Sequence, residues 1–207
     1  MSSRIVRWTA TAALALLPTA AAAQIEVTPF LASYYAVTSL WSGSNGILSG
    51  GDFKFKQKNA FGAGARVTVP ISSSLKIDGE FIYTWSGAEY VEDGAFGGSI
   101  GGGLNQDGTL IFGSVRALFS PRRSNMYFLG GPAIVSRGGD AWDGAPGDLT
   151  SFGGVAGLGI NANVTPKFRI NFTAESYLYS ADPLNTGSEF QADVIFTFGV
   201  PIKLGGS

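Results

Sequence analysis

From Gln24 onward, apolar and polar side chains alternate with a period of two in segment after segment, and no stretch sustains the 3.6-residue period of an amphipathic helix. Between 168 and 179, Phe168, Ile170, Phe172, Ala174 and Leu178 share one face, whereas Arg169, Asn171, Thr173, Glu175 and Tyr177 share the other. Alternation of this kind restricts the chain to strands with one apolar and one polar side. Eight segments carry it: 25–39, 53–69, 75–85, 109–119, 126–136, 150–164, 168–179 and 188–200. The fifth is the least regular, because Gly130, Gly131 and Pro132 interrupt its alternation. The 30 glycines, 15 phenylalanines, 7 tyrosines and 4 tryptophans suit strands and turns better than helices, so an all-β fold is expected.

The connections alternate in length. Short turns at 70–74, 121–125 and 165–167 each contain a proline, which ends ladder pairing. Longer polar, Gly-rich links lie at 40–52, 86–108, 137–149 and 180–187. Tight turns at one end and long links at the other describe an eight-stranded antiparallel up-and-down barrel. In a transmembrane version, the links lie outside the cell, and an even strand count leaves both termini in the periplasm.

The first 23 residues have a different character. Arg4 and Arg7 precede an apolar run over 9–17, then Pro18 and a run of alanines, with Ala21 and Ala23 supplying small residues before Gln24. That order predicts a secretory signal peptide over 1–23 and a single barrel domain over 24–207. The run is shorter than the roughly 20 residues of a spanning helix. With no cysteine, the exported chain has no disulfides and no thiolate ligands. Loss of Arg4 and Arg7 leaves 12 basic against 15 acidic residues, with none of the basic clustering that a nucleic-acid partner requires.

Alternation cannot say which face lines the barrel, but three features predict that the polar face does. Aromatic residues sit near strand ends on the apolar face: Tyr83 and Trp85 at the outer end, and Phe119, Phe168, Phe196 and Phe198 at the inner end, as in interfacial girdles. The polar face carries four bases and four acids, Arg66, Lys76, Asp78, Glu80, Arg116, Arg169, Glu175 and Asp193. Each base would cost on the order of 2–4 kcal/mol against lipid at mid-membrane, whereas in a lumen the charges can pair. A turn centred on Ser72 would set Arg66 opposite Asp78 and Val67 opposite Ile77; one centred on Pro166 would set Glu175 opposite Gly157. Gly62, Gly64, Gly157 and Gly159 fall on the same face and leave room in a crowded interior.

The third feature is the last strand. Gln191, Asp193, Phe196 and Phe198 resemble the terminal signal read by the barrel-assembly machinery, with Asp193 where glycine is usual and 200–207 following the last aromatic. With the Gly-x-Gly pairs of the second and sixth strands and the Val27-Thr28-Pro29-Phe30 opening, 24–204 resembles the OmpA-like or OmpX-like eight-stranded outer-membrane barrels. The resemblance implies an integral outer-membrane protein assembled by that machinery and surrounded by outer-membrane lipid.

Catalytic readings are constrained by the absence of histidine. Outer-membrane acyltransferases, phospholipases and omptin-type proteases rely on one as base or orienter, so no enzyme and no cofactor are expected. Asp78 and Glu80 share a strand face and read as members of the lumen charge network. Gly97 to Gly103 lacks the Lys-Ser/Thr ending and following helix of a phosphate loop. Asp140, Asp143 and Asp148 do not have EF-hand spacing. Lys54, Lys56 and Lys58 share a face near the outer rim; they would either hold lipopolysaccharide phosphates or form a solvated edge balanced by Glu89, Glu92 and Asp93. The leading expectation is a non-enzymatic structural or surface-interaction protein. A small-solute or ion pore and a soluble exported ligand-binding barrel are the alternatives.

Overall fold

The computed structural model describes residues 25–44, 52–93, 99–100, 106–122, 124–165 and 168–204. The expected signal segment, most of the Gly97 to Gly103 stretch, Arg123 and Pro166 lie outside them. In chain order, the described strands are β1 (Ile25–Ala36), β2 (Trp41–Ser44), β3 (Asp52–Gln57), β4 (Ala60–Pro70), β5 (Leu75–Thr84), β6 (Ala88–Asp93), β7 (Ser99–Ile100), β8 (Thr109–Phe119), β9 (Met126–Gly138), β10 (Thr150–Asn163), β11 (Arg169–Ala181), β12 (Glu189–Gly199) and β13 (Ile202–Leu204).

Eight of these, β1, β4, β5, β8, β9, β10, β11 and β12, pair antiparallel with their sequence neighbours in the barrel, and β12 pairs with β1 to close it. The protein is therefore an eight-stranded closed antiparallel β-barrel. β13 continues the last strand beyond Val200 and Pro201 and pairs with the start of β1.

The expected second strand, 53–69, is two strands in two sheets. β4 stays in the barrel wall, whereas β3 joins β2, β6 and β7 in a separate four-stranded sheet at the outer end. The break has a local cause. Asn59 Oδ1 accepts the Ala36 N–H at 3.1 Å, and Gln57 turns inward to donate to the Ser86 carbonyl at 2.7 Å. The outer links are likewise not open loops. Parts of 40–52 and 86–108 form that sheet, a short 3-10 turn (Asp140–Trp142) occupies the third link, and Gly147 and Asp148 bond to the fourth at Pro183 and Asp182.

The β4–β5 register differs from the expected one by two residues. Arg66 lies opposite Glu80, Thr68 opposite Asp78, Val67 opposite Gly79, and the ladder closes at Pro70 and Lys76. Ser72 Oγ accepts the N–H groups of Ser74 and Leu75, and the Leu75 carbonyl accepts those of Ile71 and Ser72, so the turn centres on Ser73. A two-residue shift changes every partner yet keeps every face. The expected pairing of Gly157 with Glu175 is present.

Burial sorts the two faces without ambiguity. Leu31, Phe81, Val115, Phe128, Phe152, Leu158, Phe172 and Phe196 are exposed on the outer wall, while Arg66, Asp78, Glu80, Arg116, Glu175 and Asp193 are buried inside. Tyr83, Trp85, Phe119, Phe168, Phe196 and Phe198 all face outward, Tyr83 against Trp85 with ring centroids 5.5 Å apart. Apolar wall outside and ionised core inside is the reverse of a soluble barrel.

Candidate functional site

The middle of the lumen is a single ionic cluster drawn from β4, β5, β8 and β11. Arg116 donates from Nε and Nη2 to the two oxygens of Asp78 at 2.7 and 2.9 Å, and from Nη1 to Glu80 at 2.6 Å and Glu175 at 2.7 Å. Arg66 donates from Nε to Glu80, and from its two terminal nitrogens to Asn171, Thr173, Glu175 and Thr197 at 2.7–2.9 Å. Tyr177 adds its hydroxyl to Glu80 at 2.8 Å. Two guanidiniums thus serve three carboxylates, and each polar atom of Arg66 and Arg116 named here has a partner. Such completeness is what makes buried charge tolerable, because a lone ion taken from water costs several kcal/mol.

Small residues make the space. Phe30 lies over Gly64, where any Cβ would collide with its ring, and the Arg66 guanidinium stacks on that ring at 4.4 Å from its centroid. Tyr127 occupies the equivalent space over Gly159 and accepts a bond from Asn171 at 2.7 Å. Glu175 fits against Gly157, where a Cβ would lie 3.0 Å from its Cα.

Of the eight expected lumen charges, Arg66, Asp78, Glu80, Arg116 and Glu175 form this cluster. The other three lie elsewhere. Asp193 sits nearer the outer end, accepting from Tyr34 at 2.9 Å and from Tyr179. Arg169 pairs with Glu26, and Lys76 lines a cavity beside them at the inner rim. Sequence reasoning overlooked Glu26 and the inward tyrosines Tyr34, Tyr127 and Tyr179; it placed Tyr177 on the polar face but gave it no part in the charge network. It also overlooked Arg137, which falls one residue past the expected end of the fifth strand. Arg137 is 4% exposed, donates to Tyr179 at 3.1 Å and stacks on both Tyr179 and Trp142. The parity of Tyr177 and Tyr179 with Glu175 was the available signal.

Above Arg137 the outer tier closes on itself. Leu40, Ala88 and Trp142 are buried together, with Phe55, Ala141, Ala145 and Leu149 packed around them, a cluster separate from the barrel core. On the same tier, Lys56 pairs with Glu89 at 3.1 Å, both partly exposed; Lys54 and Lys58 flank it along the chain, and the side chains of Glu92 and Asp93 lie outside the described residues. Asp140 and Asp143 bracket the 3-10 turn, while Asp148 bridges to Asp182 through the backbone. Among the described residues, no three or more carboxylates gather as a metal site.

No protein-family model matches the chain, and no curated protein matches it by sequence. Solved structures do match in shape. The outer membrane protein OprG of Pseudomonas aeruginosa superposes with a TM-score of 0.58 at 12% identity, over 89% of this chain and 97% of that one. The outer membrane protein AlkL, determined in DMPC bilayers, gives 0.51 at 12% identity, over 89% and 92%. At this identity the likeness is one of fold: a small barrel of the outer-membrane type. It does not single out the OmpA-like or OmpX-like group.

Proposed function

We propose that this chain is an integral outer-membrane barrel with a non-enzymatic role, a rigid scaffold that presents its outer tier to partners outside the cell. The observation that carries this reading is the inversion of its faces. A hydrogen-bonded ionic cluster fills the lumen, while large apolar side chains are exposed all round the wall, as a lipid solvent requires. The shared fold of two outer membrane proteins supports it. Both termini then lie at the inner, periplasmic end, and the β2–β3–β6–β7 sheet and the Trp142 cap face outward. Recognition through such a rigidly mounted tier suits a barrel whose interior is occupied.

Two observations favour a scaffold over a pore or an enzyme. The Arg66–Arg116 layer spans the lumen between buried residues of four strands, and an eight-stranded barrel is only wide enough for side chains to fill. No histidine is available as a general base. Lys54, Lys56 and Lys58 stand on the outer tier where lipopolysaccharide phosphates would lie, with Lys56 shared with Glu89.

The test combines two measurements on expressed protein. It should sediment with outer membranes and need detergent for release, and unheated samples should migrate faster than boiled ones, because a closed hydrogen-bonded barrel resists unfolding. Release without detergent, together with identical mobility under both treatments, would leave a soluble barrel instead.

A further inference from the structure

We propose that a notch in the inner rim, between β11 and β13, holds the phosphate of a membrane phospholipid, with its acyl chains lying down the outer wall. The proposal rests on the membrane reading above and adds a ligand and a place.

The notch follows from the end of the chain. The β11–β12 ladder stops at Asn171 and Gly199. Pro201, which has no N–H to donate, interrupts the strand, and β13 resumes alongside β1, with no pairing to β11 among the described residues. Beside the first residues of β11 this opens a groove of about 540 Å3, whose apolar lining is Phe168, Val200 and Ile202. On the lumen side lies a cavity of about 190 Å3 bounded by Glu26, Thr68 and Lys76. Arg169 and Lys203 line both spaces, so they stand between the wall and the lumen.

The charges do not balance there. Arg169, Lys203 and Lys76 face one carboxylate, Glu26, which takes Nη2 of Arg169 and lies opposite Lys203 in the ladder. Among the described residues that line these two spaces, two positive charges remain over, and Asp78, the next carboxylate inward from Lys76, is taken by Arg116. Phe168 and Ile202 are 44% and 49% exposed on the lipid side of the same notch. Cationic donors at the rim beside bare apolar wall match a ligand with an anionic, oxygen-rich head and hydrocarbon tails, and a phosphodiester lipid has both. The level suits it, since a turn-bearing rim lies at the headgroups.

The mature chain, folded in dodecyl maltoside, is titrated with dioctanoyl phosphatidylglycerol, with dioctanoylglycerol and with inorganic phosphate, and adducts are counted by native mass spectrometry. One phosphatidylglycerol should be retained, and neither of the other two. Lys203→Gln should weaken retention about tenfold, the loss of one charge-assisted contact. Arg169→Gln made together with Glu26→Gln, so that no carboxylate is stranded, should do the same, and Arg122→Gln, on another turn of that rim, should change nothing. Equal retention of the uncharged diacylglycerol, or indifference to Lys203→Gln and the double change, would overturn the proposal; so would phosphate binding as tightly as the lipid, which would mark a soluble-anion site. Heat-shifted mobility in the same samples keeps the two readings apart: its loss in the wild type defeats the membrane barrel, whereas its presence without the adduct defeats the notch alone.

Discussion

Arg116 and Asp78 stand directly opposite each other on β8 and β5, and the guanidinium grips both carboxylate oxygens in parallel, at 2.7 and 2.9 Å. A bidentate pair of this geometry is among the strongest polar contacts a protein makes. The remaining nitrogen of Arg116 ties it to Glu80 and Glu175, so the pair anchors the lumen layer.

Asp78→Ala leaves two guanidinium donors without acceptors in a buried site and should cost about 3–5 kcal/mol. Arg116→Ala strands Asp78 and should cost a similar amount. The double variant should cost less than the two added, with a coupling of roughly 0.5–3 kcal/mol. Urea unfolding in micelles measures all three. The same cycle on Arg66 and Asp78 should show the smaller coupling, because Arg66 bonds Glu80 and Glu175 instead. Equal couplings would contradict the β4–β5 register.

Adjacent glycines on β9 should respond differently to one methyl group. A Cβ on Gly131 would strike the Val115 carbonyl and lie 2.9 Å from the Arg116 Cα, backbone that cannot swing aside, whereas one on Gly130 meets nothing nearer than 3.5 Å. Gly131→Ala should therefore destabilise the barrel by about 1–3 kcal/mol, and Gly130→Ala should be nearly neutral. Matching denaturation midpoints for the two would show that β8 and β9 do not approach this closely.

These contrasts show what the sequence could and could not disclose. Face assignment was legible, because a period of two survives any even register error: Arg66 and Glu175 point inward whatever they face. The partner of Glu175 was legible too, but that of Arg66 was not, since it depended on whether the β4–β5 turn centres on Ser72 or Ser73, which side-chain bonds from Ser72 decide. The outer tier was hidden for another reason. Leu40, Ala88 and Trp142 come from three separate links with no common period, and only the closed barrel brings them together. Arg137 was lost through a strand end placed two residues early.

That tier should be separable from the barrel. Trp142→Ala removes the centre of the apolar cap and the ring on which Arg137 stacks, while leaving the barrel core untouched. Limited proteolysis of folded protein should then cut within 137–149 at rates well above wild type, with heat-shifted mobility retained. In the wild type, trypsin should spare Arg137, which is buried. Loss of the heat shift in Trp142→Ala would mean that cap and barrel fold as one unit.

Val115 and Arg116 are consecutive on β8 and point opposite ways, Val115 out and 58% exposed, Arg116 in and 1% exposed. Near the middle of the strand, this makes position 115 a probe of the surrounding solvent. If the wall meets water, Val115→Arg is an ordinary surface change and should shift stability by no more than about 0.5 kcal/mol. If it meets lipid, a guanidinium at mid-membrane should cost about 2–4 kcal/mol in a bilayer, and less as the substituted position moves toward either rim, at Phe119 for example. Folding titrations in phosphatidylcholine vesicles across Val115→Arg, Ala117→Arg and Phe119→Arg measure that gradient. All three side chains lie on the outer face, so their difference reports depth and not orientation. A flat series near zero would remove the membrane from the account of this barrel, and a decline from 115 to 119 would place Val115 nearer the mid-plane of the bilayer and Phe119 nearer its edge.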